Sequence, residues 1–71
     1  MSTRRYLVVI ERGERNYSAY VPDLPGCVAT GQTREQTVER MREAIALHIE
    51  GLRADGDAVP EPVTSAELVA A

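Results

Sequence analysis

Tyr17-Ser18-Ala19-Tyr20-Val21-Pro22-Asp23-Leu24-Pro25-Gly26-Cys27 changes character in its middle, and the change decides the fold. Residues 17–21 have the aromatic and β-branched content of a strand. Pro22 and Pro25 then lack the N–H that a ladder needs, and Gly26 follows Pro25 in a turn-forming pair, so a shaped loop interrupts the sheet. Pro22, Pro25 and Gly26 are therefore read as structural loop residues. Beyond them, Cys27-Val28-Ala29-Thr30 is long enough for a short strand, which Gly31-Gln32 ends.

Toward the N-terminus, Arg5-Tyr6-Leu7-Val8-Val9-Ile10-Glu11 is a second strand-like run, apolar on both faces at its centre. Arg12-Gly13-Glu14-Arg15-Asn16 separates it from Tyr17 and offers a Gly and an Asn able to take positive φ. Strands over 5–11 and 17–21 thus form a hairpin, and 27–30 completes a three-stranded antiparallel meander.

Toward the C-terminus, Thr33-Arg34-Glu35-Gln36 is a capping box, in which Gln36 reaches back to the Thr33 N–H. A helix over 34–55 follows. Val38, Met41, Ile45, Ile49 and Leu52 fall within roughly 60° of one direction at helical spacing, and that stripe covers one sheet face. Gly56 is placed for a left-handed C-cap, with Arg53 favourable against the helix dipole. Asp57 to Pro62 is a proline-stiffened crossing, and Glu67 to Val69 is read as a short fourth strand on a sheet edge. The expectation is an α+β fold: a three-stranded antiparallel meander, one long helix packed on the sheet, and a short C-terminal strand, βββαβ, in a single domain over 1–71.

Composition narrows the function. At 71 residues, one hydrophobic core rarely supplies more than ~3–5 kcal/mol. The single Cys27 cannot form an intramolecular disulfide, and one His with one Cys makes no zinc site. Association with another chain, as a homo-dimer or higher homo-oligomer or with a partner, is the support that remains. Neither a cofactor nor a metal is implied. No stretch approaches the ~18 apolar residues of a membrane span, and the start, Met1 to Arg5, runs into strand-like sequence too early for a signal peptide, so the cytoplasm is the expected place. The net charge of −3 argues against general nucleic-acid binding. Residues 56–71 hold three acids and no base, which makes the tail the acidic part.

The chemistry-bearing residues are few, and an enzyme is not expected. His48 lies at the boundary of the apolar helix face with no carboxylate or nucleophile placed to complete a catalytic set, and it is assigned to packing. Cys27 has no helix N-terminus or His nearby to lower its pKa and is read as structural. Glu35, Glu39 and Glu43 recur along a solvated helix flank. Leu47 sits opposite the apolar stripe, where contact with another chain would explain it. Candidate partner-binding residues are Tyr20, Asp23, Leu24, Leu47, Glu61 and Glu67.

The string from Tyr17 to Cys27, followed by Thr33, Glu43-Ala44-Ile45, Ile49-Glu50-Gly51-Leu52 and Pro60-Glu61-Pro62, closely resembles the HicB family of antitoxins over about Tyr6 to Pro62. The tyrosine-to-cysteine string is the specific part. The resemblance implies a partial RNase H fold and a role in binding and blocking a small HicA-like mRNA-cleaving toxin of a type II toxin–antitoxin system. Many such antitoxins carry a C-terminal DNA-binding module. Here the fifteen residues after Gly56 are Pro-rich at first and contain no Arg, so direct DNA binding is not expected without an added module. Nuclease activity is not expected either, because Tyr6, Val8 and Ile10 stand in the first strand where a metal-binding acid would be needed. The other reading is an orphan homo-oligomeric structural or ligand-binding module of the same fold, and the protein encoded next door distinguishes the two.

Overall fold

The computed structural model describes residues 4–71. Residues 1–3, part of the start read as too short for a signal peptide, lie outside the described residues. Three strands, β1 (Val9–Arg12), β2 (Tyr17–Tyr20) and β3 (Val28–Gly31), precede one helix, α1 (Arg34–Ala54). Both strand pairs are antiparallel and the sheet order is β1-β2-β3, the expected meander.

The turn between β1 and β2 closes with the Gly13 N–H donating to the Asn16 carbonyl at 2.8 Å. Positive φ is not used there: among the described residues only Gly26 at 85° and Gly56 at 74° adopt it. β1 begins at Val9 instead of Arg5. Its register pairs Val9 with Tyr20, so Val8 would next face Val21, whose N–H is already committed to the Cys27 carbonyl at 3.2 Å. Pro22 then has no N–H to offer, and the ladder stops. At β3 the difference is reversed, since Gly31 continues the strand opposite Tyr17.

The helix starts as a capped helix should. Thr33, in an extended conformation, accepts from the Gln36 N–H through its hydroxyl at 3.0 Å. The Gln36 side chain accepts from the Gln32 N–H at 2.7 Å, one residue before the expected Thr33. Such a cap contributes about 1 kcal/mol. Asp55 caps the far end, where the Gly56 N–H donates to the Arg53 carbonyl at 3.1 Å.

Alternation along the paired strands puts Ile10, Ala19 and Ala29 on one sheet face, toward α1, and Val9, Tyr20 and Val28 in a row on the other. The buried centre is Ala19, Val21, Leu24, Cys27 and Met41, with Ile45, Ile49 and Leu52 packed against it from the helix. α1 lies over β3 and β2, leaving the helix-side flank of β1 less covered. Contact between α1 and β3 is close: Gly31 runs against Thr37, which is fully buried and donates its hydroxyl to the Thr33 carbonyl at 2.7 Å.

The C-terminal strand expected over Glu67 to Val69 does not form. Residues 57–71 contain no strand, and from Thr64 onward the side chains are exposed. What replaces the ladder is a set of side-chain tethers, described next.

Candidate interaction surfaces and the tail latch

The loop after β2 folds inward. Leu24 donates its N–H to the Val21 carbonyl at 3.1 Å, Cys27 donates back to the Leu24 carbonyl at 3.0 Å, and the loop is thereby closed on itself. The Leu24 side chain fills the interior and is 0% exposed. It therefore supports the loop from within and offers no contact surface in this conformation. The neighbouring Asp23 points the other way and binds the tail. One carboxylate oxygen accepts from the Val63 N–H at 3.1 Å and the Thr64 N–H at 3.0 Å; the other accepts from the Thr64 hydroxyl at 2.7 Å.

Two further tethers hold the same segment. The Tyr6 hydroxyl donates to the Pro60 carbonyl, and Arg4 pairs with Glu61 at 3.1 Å. Of the candidate partner residues, Asp23 and Glu61 are thus engaged within the chain. Glu67 is exposed beyond the latch, Tyr20 is 42% exposed on the open sheet face, and Leu47 is 69% exposed on the helix. Tyr20 and Leu47 belong to different layers, so the six residues do not make one patch. The row Val9, Tyr20 and Val28 was not singled out by sequence, because the register that aligns it is a property of the pairing.

Hydrogen bonds from Thr64 and Val63 hold the Asp23 carboxyl below its ordinary 3.8, the Thr64 hydroxyl being the largest cause. A depressed folded pKa means that the latch contributes above the free carboxyl's pKa and is lost as pH falls through the folded value. Amide exchange at Val63 and Thr64 should accordingly be protected at neutral pH and become unprotected as the solution is acidified below 3.8. Asp23→Ala should remove that protection at every pH and leave exchange in β2 unchanged; equal exchange in both proteins would show that the carboxylate does not hold the tail.

Among the described residues, no set of side chains converges as a reaction centre. Cys27 is buried, and desolvation pushes its thiol up, away from the thiolate that a nucleophile needs. His48 is half-buried at the flank of the helix stripe. Glu39 pairs with Arg42 at 2.8 Å on an exposed flank. Among the described residues no three His, Cys, Asp or Glu side chains are grouped to hold a metal, and no helix is long and apolar enough to cross a membrane.

Known proteins supply the biological frame. The model of the HicB-like antitoxins of bacterial toxin–antitoxin systems matches residues 6–71. A UPF0150 protein of Helicobacter pylori is 45% identical over 47 residues, which are 66% of this chain and 65% of that protein. An uncharacterized 14.9 kDa protein from the rep–hol intergenic region of Haemophilus phage HP1 is 38% identical over 56 residues, 79% of this chain and 42% of that one. The chain thus spans less than two thirds of the length of either relative. In three dimensions it superposes on a chain of the HicA3 and HicB3 toxin–antitoxin complex with a TM-score of 0.72 and 32% identity, over 84% of this chain and 70% of that one. With the family match running from Tyr6 to the last residue and the meander-plus-helix fold shared, the chain belongs to the HicB-like antitoxins of bacterial toxin–antitoxin systems.

Proposed function

We propose that the protein neutralises a small HicA-like mRNA-cleaving toxin by binding it in the cytoplasm, with no catalysis of its own. The observation that carries this reading is the structural likeness to a chain of the HicA3 and HicB3 complex, at 32% identity over most of the chain. The acidic balance is consistent with it. A ribonuclease must present a positive surface to RNA, and an acidic partner gains association rate and orientation from complementary potential. We assign the toxin contact to the open sheet face, centred on Tyr20 between Val9 and Val28, with Glu67 of the tail as the acidic contribution; Leu47 lies on the other layer and is left outside it.

Co-expression with the small basic protein encoded beside it tests the proposal. The pair should co-purify, and growth arrest by the basic protein should be relieved. Tyr20→Ala should weaken the complex by about tenfold or more, as loss of a central aromatic anchor does, with the thermal transition of the free protein little changed. Unrelieved arrest, or no complex, would leave the orphan homo-oligomer as the better reading.

A further inference from the structure

Residues 65–71 leave the Asp23 latch and are exposed throughout, Leu68 fully so. An adjacent apolar pair, Leu68-Val69, preceded by Glu67, is an unfavourable sequence to keep in water. The same molecule carries a surface that matches it. Because α1 covers β2 and β3 more than β1, a groove of about 400 Å³ opens between α1 and the first strand with its lead-in. Tyr6, Val8, Val38 and Ile45 form its apolar walls over Met41, and Arg5 and Arg42 stand at its rim. β1 is an outer strand, with β2 on one side only. The other outer strand is partly occupied, since Arg40 donates to the Thr30 carbonyl at 2.9 Å.

We propose that Glu67–Val69 of one copy adds as a strand along the outer edge of β1 and its lead-in in a second copy, reciprocally about a two-fold axis. Successive strand residues face opposite sides of a sheet. Leu68 enters the groove between Val8 and Ile45, while Val69 lies on the open face beside Leu7 and Val9 and lengthens the row that continues through Tyr20 to Val28. An edge with apolar surface on both sides calls for two consecutive apolar residues, and the tail has them. Charge agrees in sign: the rim carries Arg5 and Arg42 against one neighbouring acid, Glu39, and the tail carries three acids and no base.

The donor is a second copy because the chain's own tail is directed elsewhere. It passes Tyr6 at Pro60 and has moved on to Asp23 by Val63 and Thr64. The chain's own Leu68 stays fully exposed, outside the groove. Main-chain pairing of this kind supplies affinity, and the alternate side chains supply register.

Sedimentation equilibrium on the full chain tests the proposal, with Leu68→Asp as the variant, since a fully exposed residue leaves the fold intact. The wild type should dimerise, and Leu68→Asp should raise the dissociation constant by about 100-fold or more, because each dimer loses two buried leucines. A chain carrying Val69→Cys, oxidised together with one carrying Leu7→Cys, should give a disulfide-linked heterodimer; the native Cys27 is buried and does not interfere. A wild type monomeric up to about 0.5 mM would overturn the proposal, as would a dimer indifferent to Leu68→Asp. An intrachain disulfide in the dilute Leu7→Cys, Val69→Cys double variant would overturn it in favour of the chain's own tail.

Discussion

Leu24→Ala is expected to leave the domain largely unfolded at 25 °C. Truncating a buried leucine costs about 2–5 kcal/mol, through lost transfer energy and the cavity left behind. A single core in a chain of 71 residues rarely supplies more than about 3–5 kcal/mol, so one substitution consumes most of the margin. The site cannot relax easily, because the loop that carries Leu24 is closed by hydrogen bonds among Val21, Leu24 and Cys27, and Gly26 holds a positive φ beside it. Leu47→Ala is the matched control: the same chemical change on a side chain 69% exposed should shift stability by less than about 0.5 kcal/mol. Urea denaturation followed by circular dichroism gives both values. A loss under about 1 kcal/mol for Leu24→Ala would mean that the loop is not anchored by its leucine.

Gly31→Ala should be the most damaging substitution among the glycines. A Cβ there would stand 2.5 Å from the Thr37 hydroxyl oxygen, 2.9 Å from its backbone nitrogen and 3.1 Å from its Cα. The last two atoms belong to the first turn of α1 and cannot step aside alone. Thr37 is itself fully buried and bonded to the Thr33 carbonyl, so β3 and the helix start must separate together. Overpacking of this kind costs about 1–3 kcal/mol, and backbone obstruction places the expected value at the upper end. Gly51→Ala provides the opposite case, since its Cβ would meet nothing within 4 Å inside the same helix. It should stabilise by about 0.5–1 kcal/mol. If both alanines shift the urea midpoint in the same direction, the close strand–helix approach at Gly31 is not the constraint described.

The parts of the structure legible in sequence are those whose signals are local. The Thr33 cap, the Val38 to Leu52 stripe and the left-handed Gly56 each depend on residues close together in the chain. The Gly31 approach and the Asp23 latch depend on residues six and forty-one positions apart in the chain and on how the layers settle, and neither leaves a periodic trace. Leu24 reads in sequence as a candidate contact residue of the Pro22 to Gly26 loop. It is interior because two turns in succession fold this loop back under β2. Glu67 to Val69 had the residue types of a strand, but pairing requires an edge within reach, and the latch directs this segment away from its own. Of the candidate interaction residues, the exposure of Tyr20 followed from alternation with Ala19, whereas its alignment with Val9 and Val28 needed the register.

Although the helix stripe reaches back to β2, neighbours in the sheet are also neighbours in sequence, and the strand pairings close over short loops. Low contact order of this kind favours rapid folding. The tethers from residues 60–64 back to Arg4, Tyr6 and Asp23 are among the longest-range contacts of the chain. Because none of them is a strand pairing, releasing them should free residues 60–64 while the meander and the helix stay folded.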